Sequence, residues 1–175
     1  REVAEQQALP DRDHGTLLIR DAGQPGDTRW VDDREDLPRI IRAGRHIARP
    51  RRYIRNYAWE VEPEDLVAQV RVEARAGDGW VKLVGDWLDR EVGDLAPCWP
   101  VDVLTEAIAA AHEEGARVTA HCFEEESLHD FAEAGTDCIE HATGLTEATI
   151  ATFAAQQISI VPTLVNIDTF PSIAA

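Results

Sequence analysis

Positive charge is scarce in this sequence, and lysine is almost absent. The 175 residues carry 33 Asp and Glu against 17 Lys and Arg, which gives a formal net charge of −16 at pH 7. All but one of those cations are arginines, so Lys82 is the only lysine. Nucleic acids and anionic membrane surfaces are bound through basic faces, so this charge balance argues against either as a partner.

Cysteine pairs, long apolar runs and phosphate-binding loops are missing too. Cys98, Cys122 and Cys138 are an odd number without CxxC spacing, which argues against a disulfide framework or a zinc ribbon and favours reduced thiols. No apolar run approaches the roughly 18 residues of a membrane span, and no signal-peptide pattern is present. Neither GxGxxG nor the P-loop motif occurs, which excludes the commonest nucleotide-binding readings. We therefore expect a cytoplasmic protein.

The two ends of the sequence lack the features that open and close a domain. A composition of 44% hydrophobic and 29% charged residues is typical of a globular protein of one domain. Arg1 falls inside a helical pattern, and the final "FPSIAA" (170–175) follows no closing element. We expect residues 1–175 to be an incomplete domain of a longer protein.

Apolar runs and helical patterns alternate along the chain, with short connections and with glycines after helices. Six runs are typical of buried strands: 15–23, 39–47, 80–85, 116–121, 136–141 and 158–164. Four segments have helical spacing and caps: 62–77, 100–115, 124–135 and 146–157. The first of these helices is expected to bury Leu66, Val67, Val70 and Val72. The alternation predicts a parallel α/β architecture, either a doubly wound sheet or a barrel.

Three chemically active residues fall at the carboxyl ends of consecutive predicted strands: Lys82, His121 and His141. Ligands and catalytic groups converge at that end of a parallel sheet, and imidazole is the commonest protein ligand for zinc. A single histidine at a strand end is more often structural. Two such histidines beside the only lysine favour a metal site, so we treat all three as candidate ligands.

Other residues near the predicted strand ends are weaker candidates. Arg20, Arg45 and His46 could contact a substrate, although salt bridges and loop packing are the commoner roles for such residues. The long segment 85–100 carries Trp87 and Trp99 and is predicted to form a loop over the mouth of the site.

A lysine in a dry pocket has two uses that an arginine lacks. As a neutral amine it can attack a carbonyl and form a Schiff base. The same amine can take up carbon dioxide and become a carbamate, an acidic ligand that bridges two metal ions. The second use needs further metal ligands beside Lys82, and His121 and His141 supply them, so the carbamate is the favoured hypothesis.

The sequence resembles the amidohydrolase superfamily, in particular its imidazolonepropionase-like and Xaa-Pro-dipeptidase-like branch. The resemblance lies in "GTLLIRDAG", "RIIRAGRHI", "WVKLVG", "ARVTAHC", "AGTDCIEHATGLTEATI" and "ISIVPTL". It covers nearly the whole chain and implies a (β/α)8 barrel of the TIM type that binds one or two divalent ions, most commonly zinc. It implies that Lys82 is the carboxylated bridging ligand and that His121 and His141 are ligands of the second metal.

Two family elements have no counterpart in this sequence. The family's H-x-H pair at the end of strand 1 is missing, since none of the six histidines is two residues from another. The catalytic aspartate that closes strand 8 is missing as well, and Asp168 is not assigned that role. The resemblance therefore implies a partial barrel of strands 2 to 7, without strands 1 and 8, and a fragment that is inactive alone.

These inferences predict the function of the parent protein. We expect a metal-dependent hydrolase that acts on an amide, cyclic amide or related C–N bond of a small-molecule or dipeptide-like substrate. Unpaired edge strands also predict either self-association into a homo-oligomer or pairing with residues outside this sequence. Two alternatives stay open: a Schiff-base lyase or aldolase that uses Lys82, and a barrel remnant without catalysis.

Overall fold

The computed structural model describes residues 2–173, except for the side chains of residues 167, 170, 171 and 173. Its strands are β1 (Leu18–Asp21), β2 (Arg39–Arg42), β3 (Ile47–Ala48), β4 (Trp59–Glu60), β5 (Trp80–Val84), β6 (Asp86–Asp89), β7 (Asp94–Pro97), β8 (Arg117–Cys122), β9 (Cys138–His141) and β10 (Ser159–Val161). Its α-helices are α1 (Glu2–Asp13), α2 (Leu66–Ala76), α3 (Val101–Glu113), α4 (Glu125–Glu133), α5 (Glu147–Gln156) and α6 (Val165–Ile173). Short 3₁₀ helices occupy Arg29–Asp33 and Pro63–Asp65.

The main sheet has six parallel strands in the order β10-β9-β8-β5-β3-β4. β1 and β2 form a separate parallel pair, and β6 and β7 form an antiparallel hairpin. Consecutive parallel strands are joined by α3, α4 and α5, so the βα alternation expected from the sequence is confirmed. All six predicted strands are present, whereas β4, β6 and β7 were not predicted.

The prediction of one strand over 39–47 is wrong in its extent. The structure divides this run into β2 and β3, which belong to different sheets. Gly44 separates them with φ +71°, a conformation that favours glycine. A Cβ there would lie 2.5 Å from the Glu73 carboxylate, which accepts a hydrogen bond from the Arg45 N–H at 2.7 Å. The break therefore exists because the backbone turns around a buried carboxylate of α2.

Helices α2, α3 and α4 pack side by side against one face of the main sheet. In α2 the buried positions are Leu66, Val70, Glu73 and Ala74, which follow the helical period. Val67 is partly buried, but the expected burial of Val72 is wrong because that side chain is 55% exposed. Its position lies between the buried positions of successive turns. Thr146 caps α5 in a capping box with Thr149.

The segment 85–100, which the sequence predicted as a loop over the site, contains the β6–β7 hairpin. Gly93, with φ +79°, lies in the turn between β6 and β7. Trp99 is buried in the core, where its Nε1–H donates to the Val84 carbonyl at 2.8 Å. Only Trp87 of the two tryptophans therefore remains available to the site. Within residues 2–173, no helix is long and apolar enough to cross a membrane.

Candidate metal centre

The structure brings Lys82, His121 and His141 together on three adjacent strands, β5, β8 and β9. In the register of the sheet, Val84 pairs with His121 and Cys122 pairs with His141. The two imidazole centroids are 4.7 Å apart, with ring planes at 71°. The charge of Lys82 acts on both histidines. His121 and His141 therefore lie at the strand ends as predicted, whereas the prediction for Lys82 is wrong in its position: it lies in the middle of β5 and pairs with Thr119. The role of these residues as metal ligands stays a prediction.

Lys82 is engaged in a buried ion pair. Its side chain is 1% exposed, and its ammonium donates to Oε2 of Glu140 on β9. The other oxygen, Oε1, accepts a hydrogen bond from the Thr119 hydroxyl at 3.0 Å and lies 3.9 Å from the Arg20 guanidinium. Burial lowers the pKa of Lys82 and Glu140 opposes that shift. Burial alone would raise the pKa of Glu140, but the charge and hydrogen bond of Lys82, the hydroxyl of Thr119 and the charge of Arg20 together outweigh it, and the net shift is downward.

His121 is a buried, neutral imidazole. Burial is the main reason that its pKa falls to about 2, and the charge of Lys82 lowers it further. Its Nε2 is buried and makes no hydrogen bond within the described part of the chain. The nearest carboxylate oxygen to that nitrogen is Oδ1 of Asp86, at 3.8 Å. A buried polar atom without a hydrogen-bond partner destabilises the folded state, so this nitrogen indicates a position where the site takes a further partner.

His141 occupies an unusual backbone conformation at the end of β9. Its φ is +69° and that of Ala142 is +52°, so two consecutive residues with side chains adopt the left-handed region. Backbone strain of this kind clusters at functional sites. The Nδ1 of His141 is hydrogen-bonded to the Thr163 hydroxyl at 2.7 Å, so Nε2 is the ring nitrogen that remains for another partner. Burial, and then the charge of Lys82, lowers the pKa of His141.

Aromatic side chains enclose His121. Its ring centroid lies 4.2 Å from that of Phe123, 5.3 Å from that of Trp87 and 5.9 Å from that of Tyr53. Trp87 comes from the β6–β7 hairpin and also contacts Tyr53 at 4.9 Å. These rings leave His121 only 4% exposed. They supply an apolar wall that excludes water from the histidines.

The three weaker candidates separate into two groups. Arg20 and His46 lie close to the Lys82–Glu140 pair. The guanidinium of Arg20 forms an ion pair with Oε1 of Glu140, and the charges of Lys82 and Glu140 both act on the pKa of His46. His46 is buried and stacks on Tyr53 at 5.1 Å. The guanidinium of Arg45 instead donates to the carbonyls of Asn56 and Tyr57 and covers the Trp59 ring, which is loop packing.

Comparison with known proteins identifies the fold that carries this site. No protein-family model matches the chain. An uncharacterized protein of Mycobacterium tuberculosis is 60% identical over 169 residues, which cover 96% of this chain and 46% of that protein. The structure of a Xaa-Pro dipeptidase with bound methionine superposes with a TM-score of 0.79 and 22% identity, over 97% of this chain and 48% of that one. An amidohydrolase structure matches with a TM-score of 0.78 and 20% identity, over 98% and 49%.

The chain has the amidohydrolase fold. It spans about half the length of the relatives and structures that it matches. The resemblance expected from the sequence is confirmed at the level of the fold, and so is the α/β class with parallel strands. In an amidohydrolase barrel, the side of β5, β8 and β9 that carries Lys82, Thr119 and Glu140 is the barrel interior.

The histidines fit a divalent metal better than Lys82 does in this state. Both imidazoles are neutral, as metal binding requires, and His141 has one ring nitrogen fixed by a hydroxyl. An ammonium has no lone pair to offer, so Lys82 becomes a ligand only after it leaves Glu140 and is carboxylated. Within residues 2–173, no group of three His, Cys, Asp or Glu side chains is arranged to hold a metal ion.

Two carboxylates of the site were missed by sequence reasoning. Glu140 precedes His141 within an apolar strand, and Asp86 is the first residue of β6, separated from β5 by Gly85. A charged residue inside or immediately after a buried strand was the available signal in both places. Burial raises the pKa of Asp86 to about 6, although the N–H groups of Glu124 and Phe123 oppose the shift.

Proposed function

We propose that the whole protein is a metal-dependent hydrolase of an amide, cyclic amide or related C–N bond. In this proposal His121 and His141 are metal ligands, and Lys82 is a third ligand once it is carboxylated. The observation that carries it is the pair of neutral imidazoles, that of His121 buried and that of His141 half-buried, 4.7 Å apart at the ends of β8 and β9 and one strand from the only lysine. The amidohydrolase fold supports the same reading as an analogy.

A bound divalent ion, zinc being the best match to imidazole ligands, would supply a Lewis acid and an acidified water at neutral pH. The chain's own residues prepare the site for it. The Thr163 hydroxyl fixes the ring of His141, and burial keeps both imidazoles deprotonated. Phe123 and Trp87 exclude bulk water, which strengthens electrostatic interactions inside the site.

The substrate that this environment supports is a small molecule with an apolar group near the scissile bond. Trp87, Tyr53 and Phe123 form the wall beside His121, and aromatic side chains bind apolar groups through large contact areas. Dipeptide-like substrates with an apolar side chain belong to this class. The Xaa-Pro dipeptidase of the same fold, whose structure contains methionine, is consistent with that choice.

Metal analysis of the full-length protein tests this function. His121→Asn and His141→Asn are expected to lose most of the bound zinc and the hydrolysis of amide substrates, because each removes a ligand. His129→Asn is the matched control, since His129 is an exposed histidine on α4. Lys82→Arg keeps the charge but cannot be carboxylated, so it is expected to lower metal content as well. Zinc content equal to that of the unmodified protein in all three site variants would refute the proposal.

The Schiff-base alternative predicts a different result. Its nucleophile is a free amine, whereas Lys82 is held as an ammonium by Glu140. Borohydride with a carbonyl substrate would trap a Schiff base on Lys82, and a hydrolase of the proposed type gives no such adduct and is inhibited by chelators. A full-length protein with neither trapping nor hydrolysis would instead favour a barrel without catalysis.

A further inference from the structure

The contact between His121 and Asp86 joins two buried polar atoms that both lack a hydrogen bond within the described residues. They are Nε2 of His121 and Oδ1 of Asp86, which face each other at 3.8 Å. Asp86 is completely buried. Leaving two such atoms without partners lowers the free energy of unfolding by several times the net contribution of one hydrogen bond. Their adjacency therefore indicates that each is the intended partner of the other.

Asp86 is held in place by backbone groups that belong to the same strand–helix connection as His121. Its Oδ2 accepts hydrogen bonds from the N–H of Phe123 at 2.7 Å and from that of Glu124 at 3.0 Å. These residues follow His121 by two and three positions. The carboxylate is therefore fixed relative to the imidazole, with its second oxygen directed to Nε2.

Gly85 brings the two residues together. Its N–H donates to the His121 carbonyl at 2.7 Å. A Cβ at position 85 would lie 2.7 Å from that carbonyl and 2.5 Å from Sγ of Cys122, so only glycine fits between β5 and β8 here. The close approach places the next residue, Asp86, beside the end of β8.

We propose that Asp86 is a positioning residue for His121, which accepts a hydrogen bond from Nε2–H and so leaves Nδ1 as the ring nitrogen that faces the metal. This inference rests on the proposed function for the metal itself. Metal-binding histidines commonly donate their other ring N–H to a carboxylate, which fixes both the tautomer and the ring orientation. Such hydrogen bonds are often long before the site is complete and shorten when the ligand binds, which accounts for 3.8 Å.

The two histidines then present different nitrogens. His141 has Nδ1 occupied by Thr163, so its Nε2 is available, whereas Asp86 occupies Nε2 of His121 and Nδ1 is available. Each histidine has its own orienting group, a hydroxyl on the segment after β10 for one and a carboxylate after β5 for the other.

The same chain contains a matched control for this pair. Asp137 also accepts a hydrogen bond from a backbone N–H, that of Val118 at 2.8 Å, and pairs with Nε2 of His112 at 2.9 Å. That pair lies at the opposite end of β8, away from His121 and His141. Asp137→Asn therefore makes the same chemical change as Asp86→Asn without touching the candidate site.

The test uses the metal-free, full-length protein labelled with [¹⁵N]histidine, with the His121 signals assigned from their loss in His121→Asn. We expect the Nε2–H tautomer in the unmodified protein. In Asp86→Asn the amide oxygen still accepts from Phe123 and Glu124, so the amide NH₂ faces His121 and forces the Nδ1–H tautomer. That tautomer blocks the metal-facing nitrogen, and zinc affinity is expected to fall about 10- to 100-fold. Asp137→Asn should leave both the tautomer and the affinity unchanged.

Three results would overturn the proposal: an Nδ1–H tautomer in the unmodified protein, no change of tautomer in Asp86→Asn, or an equal loss of zinc affinity in Asp137→Asn. The first is read from the unmodified protein and does not depend on Asp86→Asn, so it tests the proposal even if Asp86→Asn does not fold. Failure of the proposed function is recognised separately. A protein that binds no zinc but shows the tautomer switch would refute the metal centre and keep Asp86 as the residue that orients His121.

Discussion

Lys82 and Glu140 show what a single buried charge demands of its neighbours. A lone ammonium in the barrel interior would be very unfavourable, and the carboxylate of Glu140 compensates it. Thr119 and Arg20 then satisfy the remaining oxygen of that carboxylate. The only lysine is thus part of a four-residue polar cluster that draws on four strands.

A double-mutant cycle measures this coupling. Lys82→Met is expected to lower the free energy of unfolding by about 3–5 kcal/mol, because it leaves Glu140 buried without its main partner. Lys82→Met with Glu140→Gln should cost less than the sum of the two single changes by more than about 1 kcal/mol. Urea denaturation of the metal-free, full-length protein provides the values. Arg71→Met is the control: its ion pairs with Glu113 and Glu114 are on the surface, so its loss should change stability far less. Strict additivity at Lys82 and Glu140 would contradict this view of the cluster.

At the scale of elements, one arginine fixes the β6–β7 hairpin. The guanidinium of Arg52 donates to Oδ2 of Asp89 at 2.6 Å and to the carbonyls of Trp87 and Ala96 at 3.0 and 2.7 Å. It therefore contacts both strands of the hairpin. Tyr53, the next residue, packs against Trp87. Arg52 therefore holds the backbone of the hairpin, and Tyr53 holds the ring of its Trp87.

Arg52→Met should loosen the hairpin without unfolding the main sheet. Hydrogen bonds to charged groups are worth about 1.5–3 kcal/mol, so amide exchange in residues 86–97 is expected to accelerate at least about tenfold. Hydrogen exchange read by mass spectrometry checks this. Arg90→Met is the control, because Arg90 lies in the hairpin turn and makes no hydrogen bond or ion pair with any described residue. Unchanged protection of the hairpin in Arg52→Met would show that the β6–β7 ladder suffices by itself.

Sequence reasoning succeeded where one strong signal dominates and failed where the arrangement depends on contacts between distant segments. The apolar runs located the six predicted strands, and their carboxyl ends located His121 and His141, whereas Lys82 lies in the middle of β5. The break at Gly44 depends on Glu73, which is 29 residues away, and the positions of Asp86 and Glu140 depend on partners on other strands. Local pattern carries no record of such pairings.

At the scale of the whole molecule, buried neutral histidines set the dependence of stability on pH. Burial, and then the charge of Lys82, lowers the pKa of His46 from 6.5 to about 3, while Glu140 acts in the opposite direction. Tyr53 and Tyr57 pack around the ring. Below pH 6.5 His46 is therefore protonated in the unfolded state but stays neutral in the folded state. His46 contributes its full stability above that pH and loses it as the pH falls toward 3.

Replacing His46 by Phe, which preserves ring packing, is expected to remove this contribution. Between pH 6 and pH 4 the unfolding free energy of the full-length protein should fall about 1.4 kcal/mol less per pH unit in His46→Phe than in the unmodified protein. Urea denaturation at several pH values provides the slopes. His129→Phe, at an exposed position, is the control and should keep the slope of the unmodified protein. Identical slopes in both variants would mean that His46 is not the group responsible.

The polar cluster around Glu140 also has a consequence for the order of folding. Lys82 and Glu140 are 58 residues apart in sequence, and Arg20 reaches Cys138 of the same strand across 118 residues. During synthesis, β5 leaves the ribosome long before its counter-ion on β9 is made. Because closing such long loops is entropically costly, this cluster belongs to the slow, late contacts of the chain. We therefore expect Lys82 to stay hydrated, and β5 not to be buried, until β9 is synthesised and supplies Glu140.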